Sequence, residues 1–213
     1  MPSSPAPRPT LRGLYVILDA ERTGGRSLLD LLDQASTGGA RLFQYRNKTA
    51  SMLEAYRQAV RLRQAAADAG ALFLVNDRCD LALAVDADGV HLGQDDFPYL
   101  EARKALGSEK IIGLSTHNAA QVKEANALTP DYIGFGPIFT PASKHDHDPI
   151  VGLDGLRLIR TLTTLPVFAI GGIQLDQARS VVETGANGIA VISAVLNAPD
   201  ITKAVRDLIG ELS

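Results

Sequence analysis

Short apolar runs alternate with segments of helical period along almost the whole chain. Runs at 14–18, 41–45, 72–75, 89–92, 111–114, 132–135, 167–170 and 188–192 read as eight strands. Several are apolar throughout rather than alternating, the pattern of strands buried on both faces of a parallel sheet. Between them, amphipathic stretches at 28–35, 52–69, 119–128, 153–162, 176–183 and 201–209 read as covering helices, and a shorter apolar helix over 79–85 opens at Cys79. The segments STGGARL (36–42) and ETGANGI (183–189) put glycine between a helix end and the next strand, as a left-handed C-cap requires.

Eight such units in 213 residues lie near the economical minimum for a closed barrel. The rival is an open doubly wound sheet, but the turn after the first strand reads DAER (19–22) and lacks the glycines of a dinucleotide site. The fold expectation is therefore α/β, a single (β/α)8 TIM barrel over 13–213. Ahead of it, residues 1–12 carry prolines at 2, 5, 7 and 9 and read as a disordered tail, with no apolar segment suited to a signal peptide.

Charge and composition narrow the partners. With 21 basic and 24 acidic side chains the net charge is −3, so no whole-molecule field favours nucleic acid or an anionic membrane. The arginines at 57, 61 and 63 read as a solvated helix face. No apolar run reaches the length of a membrane helix. The lone Cys79 rules out an intrachain disulfide, and a reducing cytoplasm is the expected compartment. Small-molecule substrates are the expected partners, and a homo-oligomer is left open.

In a parallel barrel the C-terminal ends of all strands share one rim, so residues just after each strand converge. Read together, these are 44–48 (QYRNK), 76–78 (NDR), 93–96 (GQDD), 115–117 (STH), 136–144 (GPIFTPASK), 171–173 (GGI) and 192–194 (ISA). The set contains the cations Arg46, Lys48 and Lys144 and the carboxylates Asp77 and Asp96, but no Ser-His-Asp arrangement and no reactive cysteine. Two carboxylates from separate strand ends suit Mg²⁺, one per subunit, which keeps several waters and takes ligand phosphate oxygens. Gly171, Gly172, Ile192 and Ser193, followed by a short helical run, match the phosphate site of many barrels. The histidines divide. His145 and His147 read as part of a solvated loop, His91 as a satisfied core residue, and His117 as a secondary pocket residue.

The segments QYRNK (44–48), NDRCDLALAVDADGVHLGQDD (76–96), IGLSTH (112–117), DYIGFGPIFTPASK (131–144), AIGGI (169–173) and GANGIAVISA (185–194) together resemble the thiamine phosphate synthase family. The resemblance runs in order from about residue 13 to the C-terminus. It implies condensation of a hydroxymethylpyrimidine pyrophosphate with a thiazole phosphate, releasing pyrophosphate. It further implies that Gln44, Tyr45, Arg46, Asn47, Lys48 and Asn76 hold the pyrimidine pyrophosphate. Asp77 and Asp96 would bind Mg²⁺, and Ser115 and Lys144 would act with Arg46 and Lys48 on the leaving group. Pro141, Ala142, Ser143, Gly172, Ile192 and Ser193 would receive the thiazole phosphate. One departure stands out: where the family pattern after the sixth strand is Pro-Thr-x-Thr-Lys, this chain has Thr140-Pro141-Ala142-Ser143-Lys144. Two further readings stand beside this one, a thiazole tautomerase of the same superfamily and a non-catalytic barrel that binds a thiazole phosphate. Pro137 and the Asp after Asn76 favour the synthase pattern over the tautomerase.

Overall fold

The computed structural model describes residues 10–140 and 149–213. Its strands are β1 (Gly13–Asp19), β2 (Leu42–Arg46), β3 (Leu72–Asn76), β4 (Gly89–Leu92), β5 (Ile111–Thr116), β6 (Tyr132–Phe135), β7 (Val167–Ile170) and β8 (Gly188–Val191). All pair in parallel in sequence order, and β8 returns to β1 through Gly13↔Gly188 and Val16↔Val191, closing the barrel. The helices outside it are α1 (Leu28–Gly38), α2 (Met52–Asp68), α3 (Cys79–Ala84), α4 (Tyr99–Leu106), α5 (Ala119–Leu128), α6 (Gly152–Arg160), α7 (Leu175–Val182), α8 (Ser193–Leu196) and α9 (Ile201–Glu211). A 3₁₀ turn, Ala20–Arg22, follows β1.

Local chemistry sets the helix starts. The side chains of Ser27, Ser51, Asn118 and Asp200 accept the backbone N–H of Leu29, Glu54, Gln121 and Lys203, satisfying donors that the first helical turn leaves unpaired. Gly39 ends α1 in the left-handed region at φ 110°, as the STGGARL segment leads one to expect. α4 is absent from the sequence expectation. It opens at Pro98, and its inward residues Tyr99, Ala102 and Leu106 are too sparse to stand out as an apolar stripe.

Strand alternation divides the core into two shells. Val16, Leu18, Phe43, Tyr45, Phe73 and Val75 face the helices, whereas Tyr15, Ile17, Leu42, Leu74, Ile111, Tyr132, Phe168 and Ala190 fill the barrel. Inside, the rings of Tyr15, Tyr132 and Phe168 meet edge to face, with centroids 5.3–5.9 Å apart. Gly113 makes room for them, since a Cβ there would lie 2.1 Å from Cζ of Tyr132. Leu11, assigned to the tail from sequence, is buried against this inner shell, so packing begins two residues ahead of β1; residues 1–9 lie outside the described residues. The aromatic plug closes the lower barrel and leaves its C-terminal end open. Among the described residues no helix is long and apolar enough to cross a membrane.

Candidate active site

Above the aromatic plug lies a cavity of about 290 Å³ bounded by Tyr15, Gln44, Arg46, Asn76, His91, Ser115, Ile170 and Ile192. Beside it, between the ends of β2 and β5, a second cavity of about 560 Å³ is lined by Arg46, Lys48, Asn76, Asp77, Asp96, Ser115 and His117. Arg46, Asn76 and Ser115 form the wall common to both. The mouth is thus one space with an apolar floor and a charged flank.

The charged flank is built from ion pairs. Arg46 Nη1 lies 2.7 Å from Asp19 Oδ2, and the Lys48 ammonium pairs with Asp77. Asp77 occupies a strained position. Its φ is 63°, and Arg78 N–H bonds back to the carbonyl of Asn76 at 2.7 Å, so the chain reverses tightly around it. That turn brings its carboxyl to Asp96. Asp96 is itself fixed by Gly93 N–H donating to Oδ2 at 2.6 Å. Burial, and then the neighbouring Asp96, pushes the Asp77 carboxyl above the usual carboxylate range, while Lys48 acts in the opposite sense.

The family model described as thiamine monophosphate synthase matches residues 14–195. The chain belongs to the thiamine monophosphate synthase family. The thiamine-phosphate synthase of Chloroflexus aurantiacus is 47% identical over 195 residues, spanning 92% of this chain and 90% of that protein. That of Moorella thermoacetica is 45% identical over 195 residues, spanning 92% and 93%. Among solved structures, thiamine phosphate pyrophosphorylase from Pyrococcus furiosus superposes with a TM-score of 0.85 at 41% identity, covering 94% of this chain and 95% of that one.

Within this synthase-family barrel the structure brings Gln44, Arg46, Lys48, Asn76, Asp77, Asp96, Ser115 and Ile192 to one mouth. Two other expected ligand residues, Tyr45 and Asn47, line neither cavity. Tyr45 points outward, because alternate residues of a strand face opposite sides; its hydroxyl donates to Gln58 Oε1 of α2 at 2.8 Å. Asn47 braces the loop instead, its Nδ2 donating to Gln58 Oε1 at 3.1 Å and its Oδ1 accepting from Ala50 N–H at 2.9 Å. Gly172, two residues past the end of β7, has φ 68°, and a Cβ there would sit 2.6 Å from the Thr140 carbonyl, so glycine lets the loop after β6 close against the loop after β7. Ser193 opens the four-residue α8 on the same rim. Pro141, Ala142, Ser143, Lys144, His145 and His147 lie outside the described residues.

Several residues of the mouth escape the sequence reading. Asp19 ends β1 and has the same rim position as Arg46, opposite it in register. Its place at a strand end is the signal that identifies it. His91 is not simply core. Its Nε2 lies 2.9 Å from Ser115 Oγ, so a Ser–His pair does exist at the rim, although Nδ1 faces the Tyr132 hydroxyl at 2.8 Å rather than a carboxylate. Burial lowers its pKa to about 4, keeping the ring neutral near pH 7. The same burial pushes the phenols of Tyr15 and Tyr132 up. Cys79 is buried, as expected of a packing residue.

Among the described residues no group of three or more His, Cys, Asp or Glu side chains is arranged to hold a metal. The cavity wall does carry the carboxylates Asp77 and Asp96 from two separate strand ends. A like-charge pair with one member resisting ionisation suits a hard divalent cation that draws its remaining ligands from water and phosphate.

Proposed function

We propose that this mouth joins 4-amino-2-methyl-5-hydroxymethylpyrimidine pyrophosphate to 4-methyl-5-hydroxyethylthiazole phosphate, giving thiamine phosphate and pyrophosphate. The family membership, and relatives at 41–47% identity named for this activity, make the chain a transferase of thiamine biosynthesis. The bond between the exocyclic CH₂ and the pyrophosphate oxygen breaks, and its electron pair leaves with the oxygen. The aminopyrimidine shares the positive charge that remains. The lone pair of the thiazole nitrogen then forms the new C–N bond, so no protein nucleophile is required.

The chain's residues act on charge and orientation. Arg46, Lys48 and Lys144 balance the charge growing on the departing oxygen, and Ser115 donates a hydrogen bond to it. Gln44 and Asn76 hold the pyrimidine substrate. Pro141, Ala142, Ser143, Gly172, Ile192 and Ser193 hold the thiazole phosphate so that its nitrogen is in line. Mg²⁺, held by Asp77 and Asp96, supplies further charge neutralisation at the pyrophosphate when bound. On binding the anion, Lys48 exchanges one negative partner for another. The reading places the enzyme in the cytoplasm, where a lone buried thiol stays reduced.

The observation that carries this reading is the convergence of Arg46, Lys48, Asp77, Asp96 and Ser115 around one cavity wall. The test is incubation with both substrates and Mg²⁺. Thiamine phosphate and pyrophosphate are expected in equal amounts; absence of thiamine phosphate, with the substrates intact, contradicts the reading.

A further inference from the structure

A chain of four hydrogen bonds crosses the barrel interior. Gln44 Nε2 lies 2.7 Å from the Tyr15 hydroxyl, which is 2.9 Å from the Tyr132 hydroxyl. Tyr132 in turn meets His91 Nδ1 at 2.8 Å, and His91 Nε2 meets Ser115 Oγ at 2.9 Å. The chain links β2, β1, β6, β4 and β5 and ends at the wall between the two cavities.

The first member sets the polarity of the rest. An amide nitrogen can only donate, so the Tyr15 oxygen accepts from Gln44 and its own proton goes to Tyr132. Tyr132, having accepted, gives its proton to the lone pair on His91 Nδ1. The neutral imidazole then carries its proton on Nε2 and donates to Ser115. A doubly protonated ring would aim a donor at Tyr132, whose oxygen already accepts from Tyr15 and whose proton would then lose its acceptor.

We propose that Gln44, Tyr15, Tyr132 and His91 form a polarised relay that fixes His91 as the Nε2–H tautomer and turns the Ser115 proton out of the relay and into the mouth. This rests on the reading that Ser115 meets the leaving pyrophosphate, and deepens it: His91 and Tyr132 are positioning residues for that donor. The polarity is opposite to that of a nucleophilic serine triad. There, Nδ1–H faces a carboxylate and a bare Nε2 takes the serine proton. Here Nε2 has no lone pair to offer, so Ser115 acts as a donor and not as a nucleophile. The burial that keeps His91 neutral works in the same direction.

Long-range ¹H–¹⁵N correlation spectra of the histidine-labelled protein near pH 7 read the tautomer directly, with His91 assigned by the signal missing in His91→Gln. A proton on Nε2 in the wild type is expected; a proton on Nδ1 overturns the relay whatever the turnover. Tyr132→Phe removes the donor to Nδ1. The fixed tautomer should then give way to a mixture, and kcat should fall about tenfold while KM for the pyrimidine pyrophosphate stays within about twofold. An unchanged tautomer and unchanged kcat in this variant contradict the proposal. If Tyr132→Phe does not fold, the wild-type spectrum still decides. Failure of the underlying reading looks different: Ser115→Ala would retain near-normal kcat while His91 in the wild type still carries its proton on Nε2.

Discussion

Asp19 and Arg46 end neighbouring strands in exact register and hold one another 2.7 Å apart, with the Asp19 side chain almost wholly buried. The guanidinium therefore reaches the mouth already aimed, and its charge is partly balanced before any anion arrives. An anion bound there adds a second partner to an arginine whose rotamer is already fixed.

Replacing Asp19 with Asn keeps a hydrogen-bond acceptor but removes the charge that restrains Arg46. We expect kcat/KM for the pyrimidine pyrophosphate to fall by about tenfold, corresponding to roughly 1.4 kcal/mol of lost positioning. Steady-state kinetics check this, with circular dichroism to confirm the fold. Unaltered kcat/KM would show that Arg46 is held by other contacts.

The Asp77 carboxyl is pushed above its unfolded value, so its protonated form favours the fold. The sign follows: this contribution is present at pH below the unfolded value and is lost as pH rises through the folded one. The neighbouring Asp96 opposes ionisation of the Asp77 carboxyl, an opposition that a bound cation relieves. Mg²⁺ should therefore raise the melting temperature near pH 7, and Asp77→Asn should abolish the rise. Differential scanning calorimetry with and without Mg²⁺ reads both; an equal rise in the variant would move the ion elsewhere.

His91 shifts in the other direction. Its pKa in the fold is about 4 against about 6.5 unfolded, so its contribution is complete above about pH 6.5 and is lost as pH falls towards 4. Between pH 7 and pH 5 this amounts to about 2 kcal/mol of unfolding free energy. Urea titrations at the two pH values, compared with His91→Gln, isolate the component. The variant should lack it, and a variant with the same pH dependence as wild type would contradict the buried, neutral assignment.

Gly172 offers a test at the other side of the mouth. Its φ of 68° and the 2.6 Å approach that a Cβ would make to the Thr140 carbonyl leave no room for alanine. Gly172→Ala should cost about 1–3 kcal/mol in stability and raise KM for the thiazole phosphate more than KM for the pyrimidine substrate. Equal changes in both KM values would separate Gly172 from the thiazole subsite.

The strands were legible because parallel barrel strands are apolar on both faces: the expected run at 132–135 is β6, and that at 167–170 is β7. The same property hid the interior. Continuous apolar runs do not reveal which residues face inward, so Tyr15 and Tyr132 could not be separated from Tyr45 by hydropathy. Reading residues 44–48 as one block also set aside the two-residue period that turns Gln44 and Arg46 inward and Tyr45 outward. Asp19 is hidden for a different reason: the turn after β1 carries no glycine signature, and only its position at a strand end places Asp19 on the rim. Asn47 shows the converse: a polar rim residue whose side chain is bonded to Gln58 of α2 and to its own loop.

A crystal structure with thiamine phosphate, pyrophosphate and Mg²⁺ bound addresses the assembled site most directly. The metal is expected on Asp77 and Asp96, with the pyrophosphate within hydrogen-bonding distance of Arg46, Lys48 and the Ser115 hydroxyl. Pyrophosphate bound away from that wall, or a metal that touches neither carboxylate, contradicts the account.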